Sequence, residues 1–258
     1  MILAITTANT GLDASQDQID TAGNNLANLN TTGYKANRVL FQDLLYLNGP
    51  APTPAGPSGL ELGAGVNLSS TDKLFGEGTL TNTGRTLDVA INGSGFFQVK
   101  KPDGSIAYTR AGSFQINANG QLVTSDGFIV QPPITVPTNY TAISIGTNGV
   151  VEVTTPTQPV FQKVGQLTLA RFANPPGLTG VGTNLFVPSS ASGSAVIDVP
   201  GQGGTGILQQ GFLEGSNVDP VTELTNLIVA QQTFAANSQV IVAASELLQA
   251  TTELVALT

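Results

Sequence analysis

The chain has 258 residues, room for one or two domains and for a core that needs no metal or disulfide staple. It carries 9 Lys and Arg against 17 Asp and Glu, a net charge of −8, and 10% of its residues are charged where ~25% is usual. With no His and no Cys, a Ser-His-Asp triad, a cysteine nucleophile, a CxxC pair and a His/Cys zinc site are all excluded.

The first 30 residues hold Asp13, Asp17 and Asp20 and no Lys or Arg, and the apolar run 1–5 is too short for a signal peptide. Ile5, Leu12, Ile19 and Leu26 recur every seven residues. Ala8, Ser15, Ala22 and Leu29 follow each by three, which predicts a helix over residues 3–29 with one apolar or small seam. Thr32-Gly33 supplies a stop. Asp13, Asp17 and Asp20 share a helix face, which is more simply a solvated face than a cation site.

Residues 35–86 read as a connecting segment. Short strand-like pieces at 39–47 and 60–68 flank an extended loop, 46–58, that holds Tyr46, Pro50, Pro52, Pro54 and Pro57 and cannot join a regular element. From 87 to 214 the period switches to two and turn signals multiply: Asn92-Gly93, Asp103-Gly104, Asn119-Gly120, Asp126-Gly127 and Asn148-Gly149. Phe97 and Val99 alternate into the Asp103-Gly104 turn, and Ile106 and Tyr108 alternate away from it, a hairpin. This stretch is an antiparallel β-domain. Gly201, Gly203 and Gly206 match a dinucleotide-loop spacing, but a proline precedes them and a strand pattern follows, so they read as a glycine loop. Asp88, Asp103, Asp126 and Glu152 lie in or beside turns, where acids cap backbone N–H groups, and no Trp accompanies them as a sugar platform.

Asp219-Pro220 is an N-cap and first-turn pair, and Glu223 suits the positive end of a helix. Leu227, Phe234, Ile241, Leu248 and Val255 then repeat every seven residues, with Ile228, Ala235, Val242 and Ala256 beside them. No Gly or Pro interrupts residues 221–258, which predicts a helix roughly 50 Å long. The fold class is therefore α+β. Terminal helices from 1–34 and 215–258 pack as a coiled-coil-like pair, and a central β-domain lies between them.

Two helices this long carry more seam than one pair can bury, so other copies or partners must cover the rest. Ile5, Leu12, Ile19, Asn25, Leu26, Leu29, Leu227, Phe234, Asn237, Ile241, Leu248 and Val255 are the expected subunit-interface residues, with Asn25 and Asn237 as amides able to fix a register. The expected chemistry is mechanical: no catalytic residue, no cofactor and no metal. Nine scattered bases make nucleic acid a poor partner, and without a run of ~18 apolar residues no membrane insertion is expected. A secreted β-rich binding module with a helical oligomerisation stalk is the alternative from another class, and it predicts closed dimers or trimers.

Three motifs add a resemblance. Gly11-Leu12-Asp13-Ala14, Asn24-Asn25-Leu26-Ala27-Asn28 and Thr32-Gly33-Tyr34-Lys35 resemble the N-terminal signature of bacterial flagellar rod and hook proteins. Leu213-Glu214-Gly215-Ser216-Asn217-Val218, with Gln231 and Asn237-Ser238, is similar to the C-terminal one. Gly95-Phe96-Phe97-Gln98-Val99 and Tyr108-Thr109-Arg110-Ala111-Gly112-Ser113-Phe114 are similar to the β-domain between them. The resemblance implies a structural subunit of the distal rod that polymerises into a hollow helical drive shaft and passes torque to the hook. A proximal-rod or hook-type subunit is the runner-up. It further implies export without a cleaved signal, a place in the basal body from periplasm to outer membrane, and as partners other copies, proximal rod and hook subunits, and ring proteins. The loop with Tyr46 and its prolines would bridge subunits. Gln232 stands where that family usually has Arg, and Gln239 where Lys is common, so any ion pair from those positions is absent or replaced by amide contacts.

Overall fold

A computed structural model describes residues 2–45, 47–48 and 61–256. The loop residues Tyr46, Pro50, Pro52, Pro54 and Pro57 lie outside the described residues. The chain divides into two compact units. One combines Met1–Ala27, Asn37–Lys73 and Asp219–Thr258, and the other combines Asn28–Ala36 with Leu74–Val218.

The first unit is built on two helices, α1 (Ile2–Ala27) and α2 (Pro220–Ala256). α2 starts where the sequence places it. The Asp219 carboxylate accepts the Val221 N–H (3.1 Å) and the Thr222 hydroxyl (2.6 Å), and its carbonyl accepts the Glu223 N–H (3.0 Å). α1 ends two residues before the expected limit. Thr31 turns back on Asn28 through both its N–H (3.1 Å) and its hydroxyl (3.1 Å), which stops the helix short of Leu29. Leu29 therefore leaves the heptad seam, belongs to the other unit, and packs there with Tyr34, Ala36 and Val218.

Strands Asn37–Asp43 and Val66–Lys73 pair antiparallel with a bulge at Leu40/Phe41, and α1 packs on this ribbon as well as on α2. The second strand begins at Val66 and runs past the strand-like piece expected at 60–68. Hydroxyl-rich residues such as Ser69, Ser70 and Thr71 hide it from a reading of apolar alternation. The Val66 N–H donates to the Thr10 hydroxyl of α1 (3.3 Å).

The second unit is mainly antiparallel β. Its largest sheet runs in the order Thr179–Gly180, Leu185–Val187, Ile106–Thr109, Phe96–Lys100, Ile129–Gln131, Leu122–Thr124, Phe114–Ile116, with Leu169–Arg171 and Val196–Asp198 branching from Phe96–Lys100. The hairpin about Asp103-Gly104 forms, and Asp103 caps its turn through the Ser105 N–H (2.8 Å) and hydroxyl (2.6 Å). Phe97 and Val99 enter a core with Val89, Ile91, Phe114, Leu122, Val151, Leu167 and Leu208. Phe96, on the opposite face, joins an edge-to-face aromatic cluster with Phe75, Phe172 and Phe186. Because both faces are covered, Phe96-Phe97-Gln98-Val99 is buried throughout and the expected alternation is lost.

Candidate assembly interface

Within the helical unit, two contacts fix how α1 and α2 meet. The Asn25 amide donates to the Glu223 carboxylate (2.9 Å), and a side chain at Gly11 would strike the Asn237 amide at 2.6 Å. Moving fourteen residues back along α1 moves fourteen forward along α2, so the pair is antiparallel. Asn25 also brackets the Asn37 backbone, donating to its carbonyl (2.8 Å) and accepting its N–H (2.9 Å), which ties the ribbon to the helices.

The seam is centred on small residues. Ala8, Ser15 and Ala22 on α1 and Ala230 and Ala244 on α2 are buried, while Ile5, Leu12, Ile19 and Leu26 and Leu227, Asn237, Ile241 and Leu248 are half-buried flanks. Small side chains let the backbones approach closely, and the larger ones close over them. The α2 stripe reads Glu223, Leu227, Ala230, Phe234, Asn237, Ile241, Ala244, Leu248, alternating steps of four and three. A search for apolar residues finds the Leu227 row and misses the Ala230 row, because alanine carries no strong hydropathy signal. Val255 lies on α2, and its side chain is outside the described residues.

What the seam leaves bare is unusual. Val221 and Ile228 lie opposite it, at 71% and 53% exposed, and Leu224, Val229, Val240, Val242 and Leu247 are bare on its flanks. A helix apolar all round is ordinarily buried all round. By length and composition Pro220–Glu253 is also apolar enough to cross a membrane. Its exposed belt of Gln231, Gln232, Thr233 and Gln239 would then leave amides in hydrocarbon, an expensive arrangement.

The β-rich unit brings together one residue from each of the three sequence motifs. Glu214, fully buried, meets Lys35 Nζ at 2.5 Å through Oε1 and Arg110 Nε at 2.8 Å through Oε2. Lys35 also donates to the Gly76 carbonyl (2.7 Å), and Arg110 Nη1 to the carbonyls of Gly93 and Gly95 (2.8 Å each). Burial pushes the Lys35 ammonium below its ordinary pKa, and Glu214 opposes that push. Gly33 adopts a left-handed backbone (φ +69°) and donates its N–H to the Glu214 carbonyl (2.8 Å); a Cβ there would sit 2.7 Å from the Ala111 nitrogen. Asn217 accepts the Ala36 N–H (2.8 Å) and donates to the Leu74 carbonyl (2.7 Å). This cluster binds residues 32–36 to 214–217. Sequence reasoning quoted all three motifs, but only the topology shows that they share one buried carboxylate.

Comparison with known proteins matches this arrangement end to end. The chain fits the flagella basal body rod protein family at residues 5–35, the flagellar hook protein FlgE/F/G D1 domain at 90–153, and the flagellar basal body rod FlgEFG protein C-terminal family at 209–254. It is 46% identical over 255 residues to the flagellar basal-body rod protein FlgG of Buchnera aphidicola subsp. Baizongia pistaciae, covering 96% of this chain and 98% of that one. The chain belongs to the FlgG family of flagellar basal-body rod proteins.

FlgG of Caulobacter vibrioides is 45% identical over 258 residues, 97% of this chain and 98% of its own. The flagellar hook protein FlgE of Helicobacter mustelae matches only 51% of this chain and 30% of its own, at 38% identity. The match thus separates rod from hook by coverage, a choice that composition and periodicity leave open. As a FlgG-family member the chain is a structural subunit of the flagellar basal-body distal rod, part of a homopolymeric assembly with neighbouring rod and hook subunits.

Proposed function

We propose that this chain polymerises into a hollow helical drive shaft that carries torque to the hook, with α1 and α2 packed around the bore. The bare apolar surface of α2 carries this reading: Val221, Leu224, Ile228 and Val242 need cover that the chain itself does not provide. Neighbouring copies supply that cover through heterologous contacts, which repeat along a helix without closing. The interface then comprises the flanks Ile5, Leu12, Ile19, Leu26, Leu227, Phe234, Asn237, Ile241 and Leu248 together with the bare side of α2, and the loop with Tyr46, Pro50, Pro52, Pro54 and Pro57 bridges adjacent copies. At Gln232 and Gln239 amide contacts replace ion pairs. Export proceeds without a cleaved signal, the shaft spans from periplasm to outer membrane, and ring proteins surround it. The charge of −8 with few bases supports a non-adhesive shaft surface.

Limited proteolysis of the purified monomer with mass spectrometry tests the reading. The expected result is clipping at both ends and a resistant core near residues 36–215. A monomer resistant from end to end would show that the helices need no neighbours.

A further inference from the structure

The β-rich unit has an exposed strand and a cleft that the rod reading leaves unused. Among the described residues strand Gln158–Gln166 pairs only with Val150–Thr155, and its first six residues are exposed throughout. Val160 (72% exposed) and Phe161 (48%) are adjacent and lie where the register shifts between Val153↔Gln162 and Thr155↔Gln158. This end of the strand is therefore bare. Its one charged residue, Lys163, lies opposite Glu152 in register, donates to the Gln166 side chain (3.2 Å), and makes no ion pair among the described residues.

On the same unit Phe75, Phe96 and Pro175 wall a cleft of about 170 Å³, with Glu77, Ser94 and Arg110 at its margin. A cavity of about 150 Å³ is enough to hold a benzene ring. The rings already present meet edge to face, Phe75 with Phe96 at 5.5 Å and Phe96 with Phe172 at 5.8 Å, an arrangement that a further ring extends. Arg110 is spent on Glu214 and two carbonyls, so the exposed carboxylate at the cleft is Glu77, which accepts the Gly93 N–H (3.2 Å), feels the buried Lys35 charge and makes no direct ion pair among the described residues.

We infer that Phe161 of one copy seats in the Phe75–Phe96–Pro175 cleft of the next, with Lys163 of the first reaching Glu77 of the second. Phe161 and Lys163 are two residues apart on the same exposed stretch of strand, which places a cation beside the aromatic knob. The occupant is a second copy because knob and cleft lie on one compact unit and differ from each other, the heterologous pairing an open polymer needs. An apolar knob suits a contact that stays seated, and it would bind on a surface that has to slide. This inference rests on the rod reading and adds to it a contact outside the helices.

The chain has no cysteine, so the full-length double variant Lys163→Cys with Glu77→Cys can be cross-linked without background. Basal bodies from cells carrying it, treated with a flexible bis-maleimide because a Lys–Glu contact spans more than the roughly 7 Å between Cα atoms that a disulfide bridges, are expected to give a ladder of dimers, trimers and higher species, and each single variant only monomers. Basal bodies that contain the double variant but give no ladder overturn the contact. So do dimers from either single variant, which mean a two-fold contact, or an adduct with a different chain, which means another occupant. Phe161→Asp gives an independent reading: monomer melting unchanged and rods per cell reduced at least tenfold, with wild-type rod numbers overturning the inference. Absence of the wild-type chain from isolated basal bodies would instead count against the rod reading itself.

Discussion

Glu214 holds two buried cations at once, and the three side chains together carry one net positive charge. Removing the carboxylate strands both Lys35 and Arg110, whereas removing Lys35 leaves a balanced Arg110–Glu214 pair. Glu214→Gln is therefore expected to cost about 3–5 kcal/mol of monomer stability and Lys35→Met clearly less, read by chemical denaturation. Equal losses would mean that the cluster does not act through charge balance. Gly33→Ala places a Cβ against the Arg110–Ala111 backbone in a left-handed conformation, and about 1–3 kcal/mol of strain is expected in the same assay. These residues were legible as motifs but not as a site. Lys35, Arg110 and Glu214 are far apart in sequence, and nothing in periodicity or spacing reports which strands will bring them together.

The α1–α2 seam sets a test of its own. Gly11→Ala gains helix propensity of about 1 kcal/mol but must push the Asn237 side-chain amide aside, so the gain is expected to be small in the wild-type chain and larger once Asn237→Ala makes room. A double-mutant cycle on the thermal stability of assembled rods checks it, and simple additivity would mean that the two positions do not touch. At the start of α2, the Thr222 hydroxyl and then the Val221 N–H hold the Asp219 carboxyl below its ordinary 3.8. The capped carboxylate's contribution is full above the unfolded value and is lost as the pH falls through the lower folded value. Helicity followed by circular dichroism should therefore fall further below about pH 4 in the wild type than in Asp219→Asn, which keeps a cap that does not titrate. Both helices were readable from sequence because seven-residue apolar repeats and an Asp-Pro cap are local signals. The small-residue centre of the seam and the strand Val66–Lys73 were not, because alanine, serine and threonine take their burial from their neighbours.

Over the whole molecule, composition excludes much chemistry, the change of period from seven to two and back divides the chain, and excess apolar helix surface points to neighbours. Rod rather than hook comes from full-length likeness to FlgG proteins, since both kinds of subunit face the same physical demands. The central claim is that the side of α2 left bare in one chain is where the next chain packs. Ile228→Asp in the full chain, expressed in cells lacking their own copy, tests it most directly when monomer melting and motility are measured together. Ile228 is 53% exposed, so the account predicts a change in monomer stability within about 0.5 kcal/mol and loss of rods and swimming. A stable variant that still builds rods and swims would contradict it.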